Sequence, residues 1–137
     1  MFNFQKLIVW ERGVDIASIV YSATRSFPEA ERFGLVNQMR RAAVSISSNI
    51  AEGSSRSSKV DFARFVEIAA GSVFELVSQA VVSKKQEFLR RGVPIDLQGR
   101  RRAKPNVERI TKIAVGELSR MLPRFPLNAQ LSTLNLP

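Results

Sequence analysis

Apolar residues recur along this chain at three- and four-residue steps, the period of an amphipathic helix. Leu7, Trp10, Val14, Ala17, Tyr21 and Thr24 share one face of a first helix, with Ile8 and Ile19 on its far side. Phe27-Pro28 interrupts it; proline suits the first turn of a new helix, and Glu29 and Glu31 favour its positive end. The second helix runs to about Glu52, with Leu35, Met39, Ala42, Ala43, Ile46 and Ile50 on its apolar side. Gln38, Arg41, Ser45, Ser48 and Glu52 fall opposite. Gly53 supplies a C-terminal stop, and Ser54-Ser55-Arg56-Ser57-Ser58 makes a short polar connection. Ser58 with Asp61 resembles a capping box in which aspartate replaces glutamate.

The third helix, about 58–89, is the longest. Phe62, Phe65, Val66, Ala69, Val73, Leu76, Val77 and Ala80 make its seam, and Ala70, Phe74, Val81 and Phe88 widen the apolar sector. A core helix covered by two neighbours would account for that width. A subunit interface accounts for it too, and is favoured because a bare apolar face of that size would aggregate. Ile8, Ile19, Phe74, Val81 and Phe88 are therefore the candidate oligomer interface. Residues 90–104 form a break marked by Gly92, Pro94, Gly99 and then Pro105. A fourth helix follows over roughly 105–122, with Val107, Ile110, Ala114, Leu118 and Met121 inward. No strand pattern and no internal repeat competes. The prediction is an all-α fold, an antiparallel up-and-down four-helix bundle over residues 1–122, followed by an apolar tail over 123–137.

Composition narrows the chemistry. The chain has 137 residues and contains neither cysteine nor histidine. Disulfides, thiolate metal sites, cysteine nucleophiles and Ser-His-Asp hydrolysis are excluded. The acids Asp15, Glu52, Asp61, Glu67 and Glu75 form no recurring pattern, and the Glu-x-x-His of di-iron bundles is impossible here. No enzymatic activity, metal or cofactor is expected. Neither a signal peptide nor a membrane-spanning apolar stretch is read from the sequence, so the expectation is a soluble cytoplasmic protein.

Charge points to a partner. There are 21 basic and 12 acidic residues, a net +9. The excess is uneven: residues 1–52 hold 6 basic and 5 acidic groups, residues 53–137 hold 15 and 7. Such clustering suits a polyanion, nucleic acid before a membrane surface, against the plainer alternative of a solvated face that promotes solubility.

One run of residues has a family likeness. Leu7-Ile8-Val9-Trp10, Phe27-Pro28 and Phe33-Gly34-Leu35 lead into Gln38-Met39-Arg40-Arg41-Ala42-Ala43-Val44-Ser45-Ile46, then Ser48-Asn49-Ile50-Ala51-Glu52-Gly53. Phe62, Phe65, Ala69-Ala70-Gly71-Ser72 and Glu75 follow. Over residues 7–79 the chain resembles the four-helix-bundle proteins encoded in intervening sequences of 23S ribosomal RNA genes. The accessory variability determinant proteins of diversity-generating retroelements are related to that group. Ser47 stands where the family typically carries proline, and the basic 99–105 segment and apolar tail are further departures. The resemblance implies a homopentamer, five protomers forming a barrel with a basic surface. For the retroelement branch it implies binding of RNA and of a reverse transcriptase.

Arg41, Ser45, Ser48, Asn49 and Glu52 could line a groove; mutual pairing is the better reading, with Asn49 and Glu52 tying helix ends and Arg41 meeting Glu52 or Glu75. Gly71 points to close helix–helix approach, since no strand or glycine-rich turn precedes it. Trp10, Tyr21 and the phenylalanines lie mostly on apolar faces, with no interleaved basic-aromatic platform. The candidate nucleic-acid contacts are Arg56, Lys59, Arg64, Lys84, Lys85, Arg90, Arg91, Arg100, Arg101, Arg102 and Lys104. Arginine both forks onto phosphate and stacks on bases, so this set favours RNA, through phosphate-led and salt-sensitive contacts. The leading expectation is a non-enzymatic, homo-oligomeric RNA- or DNA-binding accessory scaffold. The alternative is a protein–protein interaction scaffold meeting an acidic partner such as a reverse transcriptase, and a weaker one is membrane-surface binding.

Overall fold

Small residues decide how the helices approach one another. The computed structural model describes residues 3–88, together with Ile110, 112–114 and Gly116. Among these the chain is all-helical: α1 (Ile8–Ala23), α2 (Leu35–Ser54) and α3 (Lys59–Lys85), with short 3₁₀ turns at Asn3–Lys6, Thr24–Ser26 and Glu29–Glu31. Ile110, 112–114 and Gly116 are helical as well, within the stretch expected to form the last helix. Helix α2 packs against both α1 and α3.

The core joins Ile16 and Val20 of α1, Met39, Ala43, Ile46 and Ile50 of α2, Val73, Leu76 and Ala80 of α3, and Ile110 and Ala114. Fully burying one of the large aliphatic side chains stabilises the fold by roughly 1.5–3 kcal/mol. Ile110 and Ala114 take the inward positions that the sequence assigns to them. Val107, Leu118, Met121 and the 123–137 tail lie outside the described residues.

Helix α1 turns a different side to the core than its spacing suggests. Gly13, Ile16, Val20 and Ala23 are buried, whereas Val14 and Tyr21 are exposed and Ile19 is half-buried against the core. The inward face is rotated by roughly a quarter-turn from the Leu7–Thr24 stripe. Apolar residues surround this helix, so periodicity alone cannot choose a side. Gly13 chooses it: a Cβ there would lie 3.2 Å from Ser47 of α2.

The other differences have equally local causes. Pro28 opens a single 3₁₀ turn, and α2 begins only at Leu35, whose N–H donates to the Glu31 carboxylate at 3.0 Å. Gly53 lies inside α2 and does not stop it; a Cβ would sit 2.6 Å from Phe65 Cβ. Its role is close approach of α2 and α3. Gly71, expected to serve that purpose, faces open space, with nothing within 4 Å of a Cβ.

Helix α3 starts on its predicted cap. The Ser58 hydroxyl oxygen accepts from the Asp61 N–H at 3.0 Å, while the Ser58 hydroxyl donates to the Asp61 carboxylate at 2.7 Å. The helix ends at Lys85, earlier than expected, because Glu87 adopts φ +58°. The Phe88 N–H then reaches the Ser83 carbonyl and the Glu87 N–H the Lys84 carbonyl, each at 3.0 Å. This is the Schellman arrangement, and it turns Phe88 back onto Phe27, with ring centroids 5.7 Å apart.

By length and composition α3 is apolar enough to cross a membrane, a property not read from the sequence. Its Ala69, Ala70, Val73, Leu76 and Ala80 are buried in the core, and core helices of soluble proteins share that length and composition. The outer side of the same helix exposes Val60, Ile68, Phe74 and Val82, at 65, 52, 46 and 45%.

Candidate nucleic-acid interface

The α2–α3 connection brings the first cations together. Arg56 lies in that connection, where its guanidinium covers the Phe65 ring at 4.9 Å and pairs with Glu52 one helical turn back. Stacking and pairing hold a long side chain in one orientation at the surface. Lys59 opens α3, exposed and without an ion pair among the described residues. Arg64 follows, 3.7 Å from Asp61. Exposed pairs of this kind contribute little to stability, so these charges remain available to a ligand.

Lys84 and Lys85 occupy the other end of α3, in the last turn, where a cation also complements the helix dipole. A 27-residue helix separates the two groups by about 40 Å. The structure therefore does not gather the described candidates into one patch. Arg90, Arg91, Arg100, Arg101, Arg102 and Lys104 lie outside the described residues.

One cation was missed. Lys6, in the N-terminal 3₁₀ turn, lines a cleft with Arg56 and Lys59. Nothing local in the sequence signals this, because the three meet only when the N-terminal turn packs beside the end of α2.

Part of the polar stripe of α2 is paired, though not with the partners expected. Asn49 donates from Nδ2 to the Ser45 carbonyl at 2.8 Å and to Ser45 Oγ at 2.9 Å. Ser72 of α3 donates to Ser45 Oγ at 2.9 Å, linking the two helices. Glu52 takes Arg56, and Glu75 accepts from Gln79 at 2.8 Å. Arg41 is left exposed, without either expected carboxylate. Its neighbour Arg40 is structural: Nε donates to Thr24 Oγ1 at 2.9 Å and the guanidinium lies 4.7 Å from the Tyr21 ring centroid.

The candidate interface residues divide. Ile8 and Phe74 are exposed, Ile19 and Val81 are half-buried, and Phe88 packs within its own chain against Phe27.

Among the described residues the core is all-helical and α3 carries cations near both of its ends. Residues 5–100 match the family model for the 23S rRNA-intervening sequence protein. The chain belongs to that family. No individual curated protein matches it.

Proposed function

We propose that this protein is a non-enzymatic basic homo-oligomer that holds RNA or DNA through phosphate contacts, as an accessory scaffold in the cytoplasm. Charge distribution carries this reading. Residues 3–88 hold 11 basic and 9 acidic groups, whereas residues 89–137 hold 10 and 3. A near-neutral stretch followed by a strongly basic one is the charge pattern of a protein that meets a polyanion with one part of its chain. Fluorescence anisotropy with a short RNA, on nuclease-treated protein between about 50 and 200 mM salt, tests it; binding should weaken steeply as salt rises. Absence of binding at the lowest salt would overturn it. Replacing Arg100, Arg101 and Arg102 with glutamate should weaken binding and leave the melting temperature nearly unchanged; unchanged affinity would remove that segment from the interface.

The bundle is antiparallel in this proposal, and copies associate through the outer face of α3, closing the pentameric barrel that the family likeness implies. The exposed Val60, Ile68, Phe74 and Val82 support self-association. The same exposed residues favour a second reading, a scaffold for a protein partner such as the reverse transcriptase of related retroelement systems. Light scattering coupled to size exclusion separates the two: a monomer at micromolar concentration would favour the second.

A further inference from the structure

We infer that the cleft between the N-terminal 3₁₀ turn and the α2–α3 connection is a docking pocket for one nucleotide of a single strand, an inference that rests on the nucleic-acid reading above and deepens it. The cleft is open to solvent and has a volume of about 430 Å³, in the lower part of the roughly 300–1,000 Å³ that small-molecule pockets occupy. Half-buried Leu7 and Phe62 line it beside buried Gly53, together with exposed Lys6, Arg56 and Lys59. Apolar and aromatic groups beside cations match the two halves of a nucleotide, a planar base and a phosphate.

The pocket is held in shape by contacts already described. Gly53 lacks the Cβ that would strike Phe62 and Phe65, so both rings settle against the end of α2. Arg56 is oriented by Phe65 and Glu52. Ser58 and Asp61 satisfy each other at the start of α3, so the phosphate is assigned to the side chains of Lys6 and Lys59 and not to the helix end. Neither lysine has an ion pair among the described residues. A duplex keeps its bases stacked and cannot offer one to a cleft, whereas a single strand can. An acidic peptide would satisfy the lysines and leave the apolar surface without a planar partner.

The test uses the full chain, a fluorescent ten-nucleotide oligouridylate, a duplex RNA of equal length, free uridine monophosphate and a ten-residue polyglutamate. The K6E/K59E double variant should bind the single strand at least about tenfold more weakly. The R25E/R32E variant, which makes the same change of charge at two exposed arginines outside the cleft, should lose less than about threefold. Phe62→Leu, checked for an unchanged melting temperature, should weaken the single strand about fivefold or more and leave the duplex unaffected, since base–aromatic stacking is lost. If the parent protein binds the single strand and K6E/K59E and F62L bind it equally well, the pocket is overturned while the nucleic-acid reading stands. If no RNA binds but the mononucleotide shifts the amide resonances of Lys59 and Phe62, the pocket holds for free nucleotides and the nucleic-acid reading fails. Binding of neither overturns both. Polyglutamate displacing the strand as well as the mononucleotide does would reduce the cleft to charge alone and overturn base docking.

Discussion

The two sides of α3 are both apolar and behave in opposite ways. The inner side presents Ala69, Val73, Leu76 and Ala80, all fully buried. The outer side presents Val60, Ile68, Phe74 and Val82, larger on average and exposed, with Gly71 open among them. Hydrophobicity therefore does not select the inner face. Size does: the alanines let α2 approach closely, and they share one core with Ala42, Ala43 and Ile46 of α2. On α1 the close approach is made at Gly13, where a Cβ would lie 3.2 Å from Ser47 of α2, while the larger Ile16 and Val20 fill the core beside it.

The largest effect that sharpens this contrast is Leu76→Ala. It deletes a fully buried side chain at the centre of the core, and costs about 2–5 kcal/mol. Chemical denaturation should show the midpoint fall with the slope unchanged. A loss under about 1 kcal/mol would mean that the inner face is not the tightly packed one. Gly53→Ala should come next. The added methyl meets the Phe65 Cβ, attached directly to backbone and unable to swing away. Overpacking of this kind costs about 1–3 kcal/mol, and the same denaturation midpoint reports it. A neutral substitution would show that the α2–α3 turn can separate without loss.

Sequence patterning made most of the fold legible. The apolar side of α2, the Ser58 start of α3 and the inward positions of Ile110 and Ala114 follow from period and capping chemistry. What stayed hidden shares one physical cause, dependence on a partner distant in the chain. The inward side of α1 depends on Gly13 meeting Ser47. Gly53 takes the close-approach role expected of Gly71, because a Cβ at Gly53 would meet Phe65 and Phe62 of α3 and one at Gly71 would meet nothing. The early end of α3 depends on Phe88 finding Phe27. At the candidate site, Arg56, Lys59 and Arg64 could be named from charge and position, but Lys6 could not. Its place beside them is set by the packing of the N-terminal turn.

Gly71→Ala reverses the sign. An exposed mid-helix glycine costs about 1 kcal/mol relative to alanine, and a Cβ at this position meets nothing in its own chain. The protomer should gain up to about 1 kcal/mol, read as a higher denaturation midpoint at low protein concentration. If the outer face of α3 packs against another copy, the same methyl should weaken assembly while strengthening the protomer. A midpoint that falls even in dilute protein would mean that α3 is approached from its outer side within one chain.

The smallest effect on the protomer decides most about the comparison. Phe74 is 46% exposed, so Phe74→Asp removes little from the fold, within about 0.5 kcal/mol for a surface position. What it changes is any contact made on the outer face, where a carboxylate would be taken out of water without a partner. Because association stabilises a protein by mass action, the melting temperature of the parent should rise with its own concentration. In the Phe74→Asp variant that dependence should vanish, and light scattering should report a monomer. If both proteins melt at a temperature independent of concentration, the outer apolar side serves no self-association. If instead the variant unfolds in dilute solution, Phe74 belongs to the core, and the division of α3 into a packed side and a free side is wrong.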